Sequence, residues 1–144
     1  MQYIKITEEY FAAAAKTEAV CLDTAWSEKQ IVLFASDINC AYFVAVDGGT
    51  LYGICSAVFS VDDGEILNIA VLPEKRRLGV GRALLECVFA EAEARGVHSV
   101  VLEVASRNEG ALALYSALGF SKAGVRKGFY SRQRDDAVIM TKEI

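Results

Sequence analysis

Apolar and polar positions along this chain change their spacing repeatedly, and each change marks an element. "QYIKI" near the N-terminus alternates as a short strand. "TEEYFAAAAKTEAVCL" has helix formers throughout, with acids in the first turn, where a helix favours negative charge. In "WSEKQIVLFAS", Ser27 and Gln30 make a capping-box pattern behind Trp26, which starts a second helix. Two strands follow, "AYFVAVD" and "LYGICSAVFSV", joined by the turn "GGT". After a further turn, "DDG", the run "EILNIAVL" is nearly continuously apolar, as a strand buried on both faces would be. Helical spacing then returns, with Leu84, Leu85, Val88, Phe89 and Ala92 forming one stripe that Gly96 ends. "SVVLEVA" is a strand, and "NEGALALYSAL" a helix with Asn108 as N-cap and Gly119 as its stop. "SKAGVRKGFY" and "DAVIMTKEI" supply the last two strands. The order β-α-α-β-β-β-α-β-α-β-β predicts an α/β (α+β) architecture, a mixed sheet with helices on both faces.

No repeat, low-complexity tract or Pro/Gly-rich linker divides the 144 residues, so a single domain over 1–144 is expected. A hydrophobic share of 53% argues for a packed core and against disorder. The net charge of −4 gives no general attraction for nucleic acid or an acidic membrane surface, and no such partner is expected. Cys21, Cys40, Cys55 and Cys87 form no Cys-x-x-Cys pair, and His98, in a helix-to-strand turn, is the chain's single histidine. A metal site is therefore not expected, and the cysteines read as reduced core residues. No apolar run is long enough to span a membrane, and "MQYIKITEEY" is too polar for a signal peptide, which predicts a cytoplasmic protein.

The candidate chemistry begins at "EKRRLGVGRALLE", Glu74 to Glu86. Glycine costs up to about 1 kcal/mol against alanine inside a helix, so Gly-x-Gly at a helix start needs a reason. The stretch lies between a strand and a helix, where free N–H groups and the helix dipole bind phosphate oxygens and glycines let the backbone approach. No Lys-Ser/Thr follows the second glycine, as a Walker loop would need, and Leu84 stands where a dinucleotide fingerprint needs a third glycine. The stretch instead resembles the Arg/Gln-x-x-Gly-x-Gly/Ala signature of the GCN5-related N-acetyltransferases (GNAT), carried here by Arg76, Gly79 and Gly81. "NIAVLPEKRRLGVGRALLE", "LEVASRNEGALALYSALGF", "DAVIM" and "WSEKQI" extend the resemblance over nearly the whole chain. Within the family they look most like the bacterial enzymes that acetylate the N-terminal alanine of a ribosomal protein.

That resemblance implies the GNAT fold, acetyl-coenzyme A as co-substrate, and a ribosomal protein N-terminus as acceptor. It implies that the strands "EILNIAVL" and "SVVLEVA" splay apart, with the pantetheine arm bonding main chain at Ile69, Ala70 and Val71 like an added strand. The pyrophosphate would lie on Arg76, Arg77, Leu78, Gly79, Val80, Gly81 and Arg82, and Asn108 would also touch the cofactor. Glu103 is the implied base, its proton affinity raised by an apolar strand; a solvent-facing strand position is the other reading. Many relatives carry a glutamate in the preceding strand, where "ILNIAV" has Asn68, which does not titrate usefully. Tyr115 is the implied acid for the departing thiolate, or else a core tyrosine. Tyr130, in "RKGFYSRQRDD", is implied at the border of the acceptor groove, although relatives often read Tyr-Tyr-Pro where this chain has Phe129, Tyr130 and Ser131. A small-molecule amine as acceptor, or a non-catalytic acyl-coenzyme A sensor, are the alternatives.

Overall fold

The elements form in the predicted order. The computed structural model describes residues 1–130 and 135–144, without the side chains of residues 128–130 and 135. They are β1 (Gln2–Lys5), α1 (Phe11–Cys21), α2 (Glu28–Ala35), β2 (Cys40–Asp47), β3 (Thr50–Phe59) and β4 (Asp63–Val71). There follow α3 (Val80–Ala94), β5 (Ser99–Ala105), α4 (Glu109–Ala117), β6 (Ser121–Tyr130) and β7 (Asp135–Glu143). The seven strands make one sheet in the order β1-β2-β3-β4-β5-β7-β6. Every neighbouring pair is antiparallel except β4 and β5.

Local chemistry explains some of the boundaries. The capping box of α2 is complete, with the Ser27 hydroxyl accepting from the Gln30 N–H at 3.2 Å and the Gln30 side chain accepting from the Ser27 N–H at 2.8 Å. Several boundaries differ from expectation; β3, read through Val61, ends at Phe59. Glu8 and Glu9 belong to a single tight turn, Glu8–Tyr10, so α1 starts only at Phe11. Asp63 and Gly64, read as a turn, already pair with Ser99 and Val100, so β4 starts two residues early.

Helices cover both faces of the sheet, each over its own apolar cluster. Leu84, Leu85 and Val88 of α3 pack with Phe43, Cys55, Leu102 and Tyr115 on one face. Ala14 and Ile31 of α1 and α2 pack with Tyr42, Val44, Ile54 and Ala70 on the other. All four cysteines are free, as expected: Cys55 is buried in the core, Cys21 and Cys87 are half-buried and pack against it, and only Cys40, also half-buried, lies outside both clusters. Among the described residues no group of three or more His, Cys, Asp or Glu could hold a metal ion. No described helix is long and apolar enough to cross a membrane.

Strand β4 departs from the picture of a strand buried on both faces. Ser56 pairs with Asn68 while Ala57 pairs with Ile66, which leaves Leu67 as an extra residue in a bulge. An added residue bends and twists its strand. On its other edge β4 pairs with β5 only at Asp63–Ser99, Gly64–Val100 and Glu65–Val101. Past that point the two strands separate, and the sheet opens between them.

Candidate active site

The opening has β4 from Ile66 onward as one wall and β5 from Leu102 onward as the other. Ile69, Ala70 and Val71 lie on the first wall, still paired with Cys55, Ile54 and Gly53 of β3 on their far side. On their near side they pair with no described strand, so main-chain groups there can serve a ligand that runs along β4.

The chain leaves β4 into the loop that carries the arginines. Arg76 is extended, with φ −73° and ψ 156°. Arg77 has φ 61°, the single non-glycine residue among those described with positive φ. Gly79 has φ 82° and ψ 8° and serves as N-cap of α3 without a side-chain bond. Two left-handed residues this close, next to the first N–H groups of α3, are the kind of backbone that an anion nest uses. Holding a β-carbon in this conformation at Arg77 costs about 1–2 kcal/mol, and strain of this kind gathers where a ligand is clamped. A Cβ built on Gly79 would meet nothing within 4 Å, so the loop is open there.

Not all the predicted ligand residues point at the loop. Arg76 donates from Nε to the Val71 carbonyl at 2.9 Å, and its Nη2 lies 3.8 Å from Cys21 Sγ, so it fastens the loop to the end of β4. Arg82 pairs with Glu86 on the exposed side of α3 at 3.2 Å. Leu78 is 68% exposed, whereas the Val80 side chain is buried in the core and anchors the helix start. A Cβ on Gly81 would lie 3.7 Å from Leu114 and 3.9 Å from Val71, so this glycine sits between α4 and β4. Asn108 caps α4, its Oδ1 accepting from the Ala111 N–H at 3.1 Å.

Glu103 and Tyr115 lie on opposite faces of the sheet. Leu102 and Val104 face α3 and α4, so Glu103 between them faces the side of α1 and α2. Its surroundings differ from the expected apolar strand. The Glu103 side chain is 21% exposed, and its Oε1 lies 2.8 Å from Nη2 of Arg126 on β6. The register explains this contact, since Glu103 pairs with Ile139 and Arg126 with Ala137, one step along the same face. Tyr115, on α4, is 6% exposed and meets Phe120 edge-on at 5.8 Å, so it is a core tyrosine on the other face. Tyr130 ends β6 opposite Asp135, and its side chain lies outside the described residues, as does Ser131 entirely. His98 is exposed, as expected.

One feature has no sequence signal. The carboxylate of Glu18, in α1, is fully buried and accepts from the Trp26 N–H at 3.0 Å, from Asn68 Nδ2 at 3.2 Å and from the Tyr42 hydroxyl. Burial, and then the bond to Glu18, hold the Tyr42 phenol far above its ordinary range, so it remains a donor.

Comparison with other proteins bears on the family and the fold. The model of the acetyltransferase (GNAT) family matches residues 5–120. The [ribosomal protein bS18]-alanine N-acetyltransferase of Escherichia coli strain K12 is 40% identical over 123 residues, covering 83% of this chain and 81% of that protein. The crystal structure of the ribosomal-protein-S18-alanine N-acetyltransferase from Escherichia coli superposes with a TM-score of 0.89 at 33% identity, covering 99% of this chain and 93% of the other. A GNAT family acetyltransferase from Elizabethkingia anophelis, solved with acetyl-CoA bound, shares the fold with a TM-score of 0.79 at 20% identity, covering 99% and 97%.

Proposed function

This chain belongs to the GNAT family of acetyltransferases, and from that premise we propose that it acetylates the N-terminal alanine of a ribosomal protein in the cytoplasm. It is an acetyl-coenzyme A-dependent N-acetyltransferase. The observation that carries the acceptor assignment is the 40% identity, over most of both chains, to the enzyme named [ribosomal protein bS18]-alanine N-acetyltransferase.

Acetyl-coenzyme A supplies an activated acyl group, a nucleotide end with phosphates and a pantetheine arm. The inward N–H groups around Arg77 and Gly79 suit the phosphates, and the edge of β4 from Ile69 to Val71 suits the amides of the arm. With the arm between β4 and β5, the reacting carbon would be open to both faces of the sheet. The amine then enters on the Glu103 face, and the thiolate leaves toward α4 and Tyr115. Only a neutral amine attacks. An α-amino group, with pKa near 8, is roughly a tenth neutral at pH 7, whereas a lysine side chain is neutral in about one molecule in a few thousand. Glu103 takes the proton the amine must lose, directly or through water, and the Tyr115 hydroxyl returns one to the thiolate. Arg126 holds the Glu103 carboxylate at the mouth of the opening.

Incubation with acetyl-coenzyme A and peptides tests the reading. A free N-terminal alanine should accept acetyl, and an N-blocked, lysine-containing version should accept far less. Mass spectrometry that finds the acetyl group mainly on lysine side chains overturns the assignment.

A further inference from the structure

Glu18 is buried and has no part in the transfer outlined above, yet it reaches the reacting region through Asn68. A carboxylate out of water is tolerated when its lone pairs are met, and here uncharged donors meet them: the Trp26 N–H, the Tyr42 hydroxyl and the Asn68 amide. The amide nitrogen of Asn68 faces Glu18, donating from Nδ2 to Oε1 at 3.2 Å. The carbonyl oxygen Oδ1 of Asn68 is thereby turned away. No buried side-chain nitrogen or oxygen among the described residues lacks a partner. The remaining polar contact of Asn68 is its own N–H to Ser56 Oγ at 3.2 Å, so Oδ1 is open to solvent.

Its place in the sheet says which solvent. Asn68 follows the Leu67 bulge, just beyond the last β4–β5 pair at Glu65–Val101. Ala70, two residues on, packs under α1 and α2, so Asn68 shares that face with Glu103. The two side chains therefore flank the opening at the same level, one on each wall. We infer that Asn68 binds the acceptor amine, its Oδ1 accepting one N–H, and that Glu18 is the positioning residue that aims it. This rests on the reading above, with the acyl group in the opening and Glu103 as base. A neutral primary amine has a lone pair directed at the acyl carbon and two N–H bonds. Asn68 accepts a hydrogen bond from one, and the other gives its proton to Glu103.

The inference is tested with an N-terminal alanine peptide and the same peptide beginning with N-methylalanine, which lacks one N–H. Wild-type protein should prefer the alanine peptide in kcat/KM. Asn68→Ala and the isosteric Asn68→Leu should lose about tenfold on the alanine peptide, the size of one hydrogen bond, and little on the N-methyl peptide. Their preference then falls about tenfold, while coenzyme A binding by calorimetry stays as in wild type. Glu18→Gln keeps an acceptor for Asn68 and should keep the preference, and Glu18→Ala should lose it. Should Glu18→Ala not fold, the two Asn68 variants decide. An equal loss on both peptides, a fall in preference for Asn68→Ala alone, or weakened coenzyme A binding would mean a structural or steric role and overturns the inference. A wild-type protein inactive on the alanine peptide overturns the substrate reading and this inference with it; an active one with unchanged preference in the variants overturns this inference alone.

Discussion

Glu103 is a glutamate in an otherwise apolar strand, and what decides its role is its ion pair with Arg126 and its access to solvent, not burial. Glu103→Gln keeps the shape and removes the proposed base. Its rate should fall by about 10²–10⁴, the usual scale of acid–base catalysis, and recover in part as rising pH makes the α-amine neutral unaided. Tyr115→Phe removes one hydroxyl from a packed helix, so the fold and coenzyme A binding should persist. With the proposed acid gone the thiolate should lack its proton, which alkali does not supply. Two pH–rate profiles separate the roles: rescue of the tyrosine variant by high pH, with none for the glutamine variant, would reverse the assignment.

At the scale of elements, the connection from β4 to α3 holds the tightest constraints. Gly79 adopts φ 82° in open space, so Gly79→Ala meets no clash but holds a β-carbon left-handed. It should cost about 1 kcal/mol in urea unfolding and weaken coenzyme A binding as the nest distorts. Gly81→Ala should be tolerated, because its Cβ would make ordinary contact with Leu114 and Val71. Gly81→Val should press α4 and β4 apart, weakening coenzyme A binding by narrowing the space rather than by shielding phosphate. Calorimetry on the three folded variants checks this, and equal affinity in all three would refute it. The elements were legible because their signals are local: Ser27 with Gln30, Asn108 with Ala111, and the α3 stripe all lie within a turn of themselves. The Arg-x-x-Gly-x-Gly loop was legible for the same reason. The site's wiring was not. Asn68 meets Glu18 across 50 residues, and Arg126 lies on a strand that reaches Glu103 only through β7. In an alanine-rich helix nothing marks Glu18 as buried, and nothing nearby in sequence says that three donors await it. The bulge at Leu67 was equally silent, because it exists only in the pairing of β4 with β3.

Over the whole molecule, the half of the sheet that carries the site must be held against the half that carries the first strands, and Glu91 is one tie between them. It projects from α3 to Lys5 of β1 at 2.8 Å and to Arg95 at 2.8 Å. Arg95 in turn donates to the Ile38 carbonyl at 2.8 Å, ahead of β2, and lies 4.6 Å from the ring centre of Phe59 on β3. The hydrogen bond from Lys5, followed by the Arg95 contacts, holds the Glu91 carboxyl below its ordinary range against the opposing effect of partial burial. A carboxyl whose folded pKa lies below its unfolded value adds stability above the unfolded value, about 4.3, and loses it as pH falls through the folded one. Glu91→Gln should therefore be less stable than wild type at pH 7. The difference should be about 1 kcal/mol, kept small because Lys5 is largely in solvent and screened. It should shrink in 1 M salt and close toward zero as the pH is lowered below 4. Urea unfolding of both proteins at pH 7 and at pH 3 measures it. A deficit that is the same at both values would mean that Glu91 acts through packing alone, and that its charge does not help bind β1 to α3.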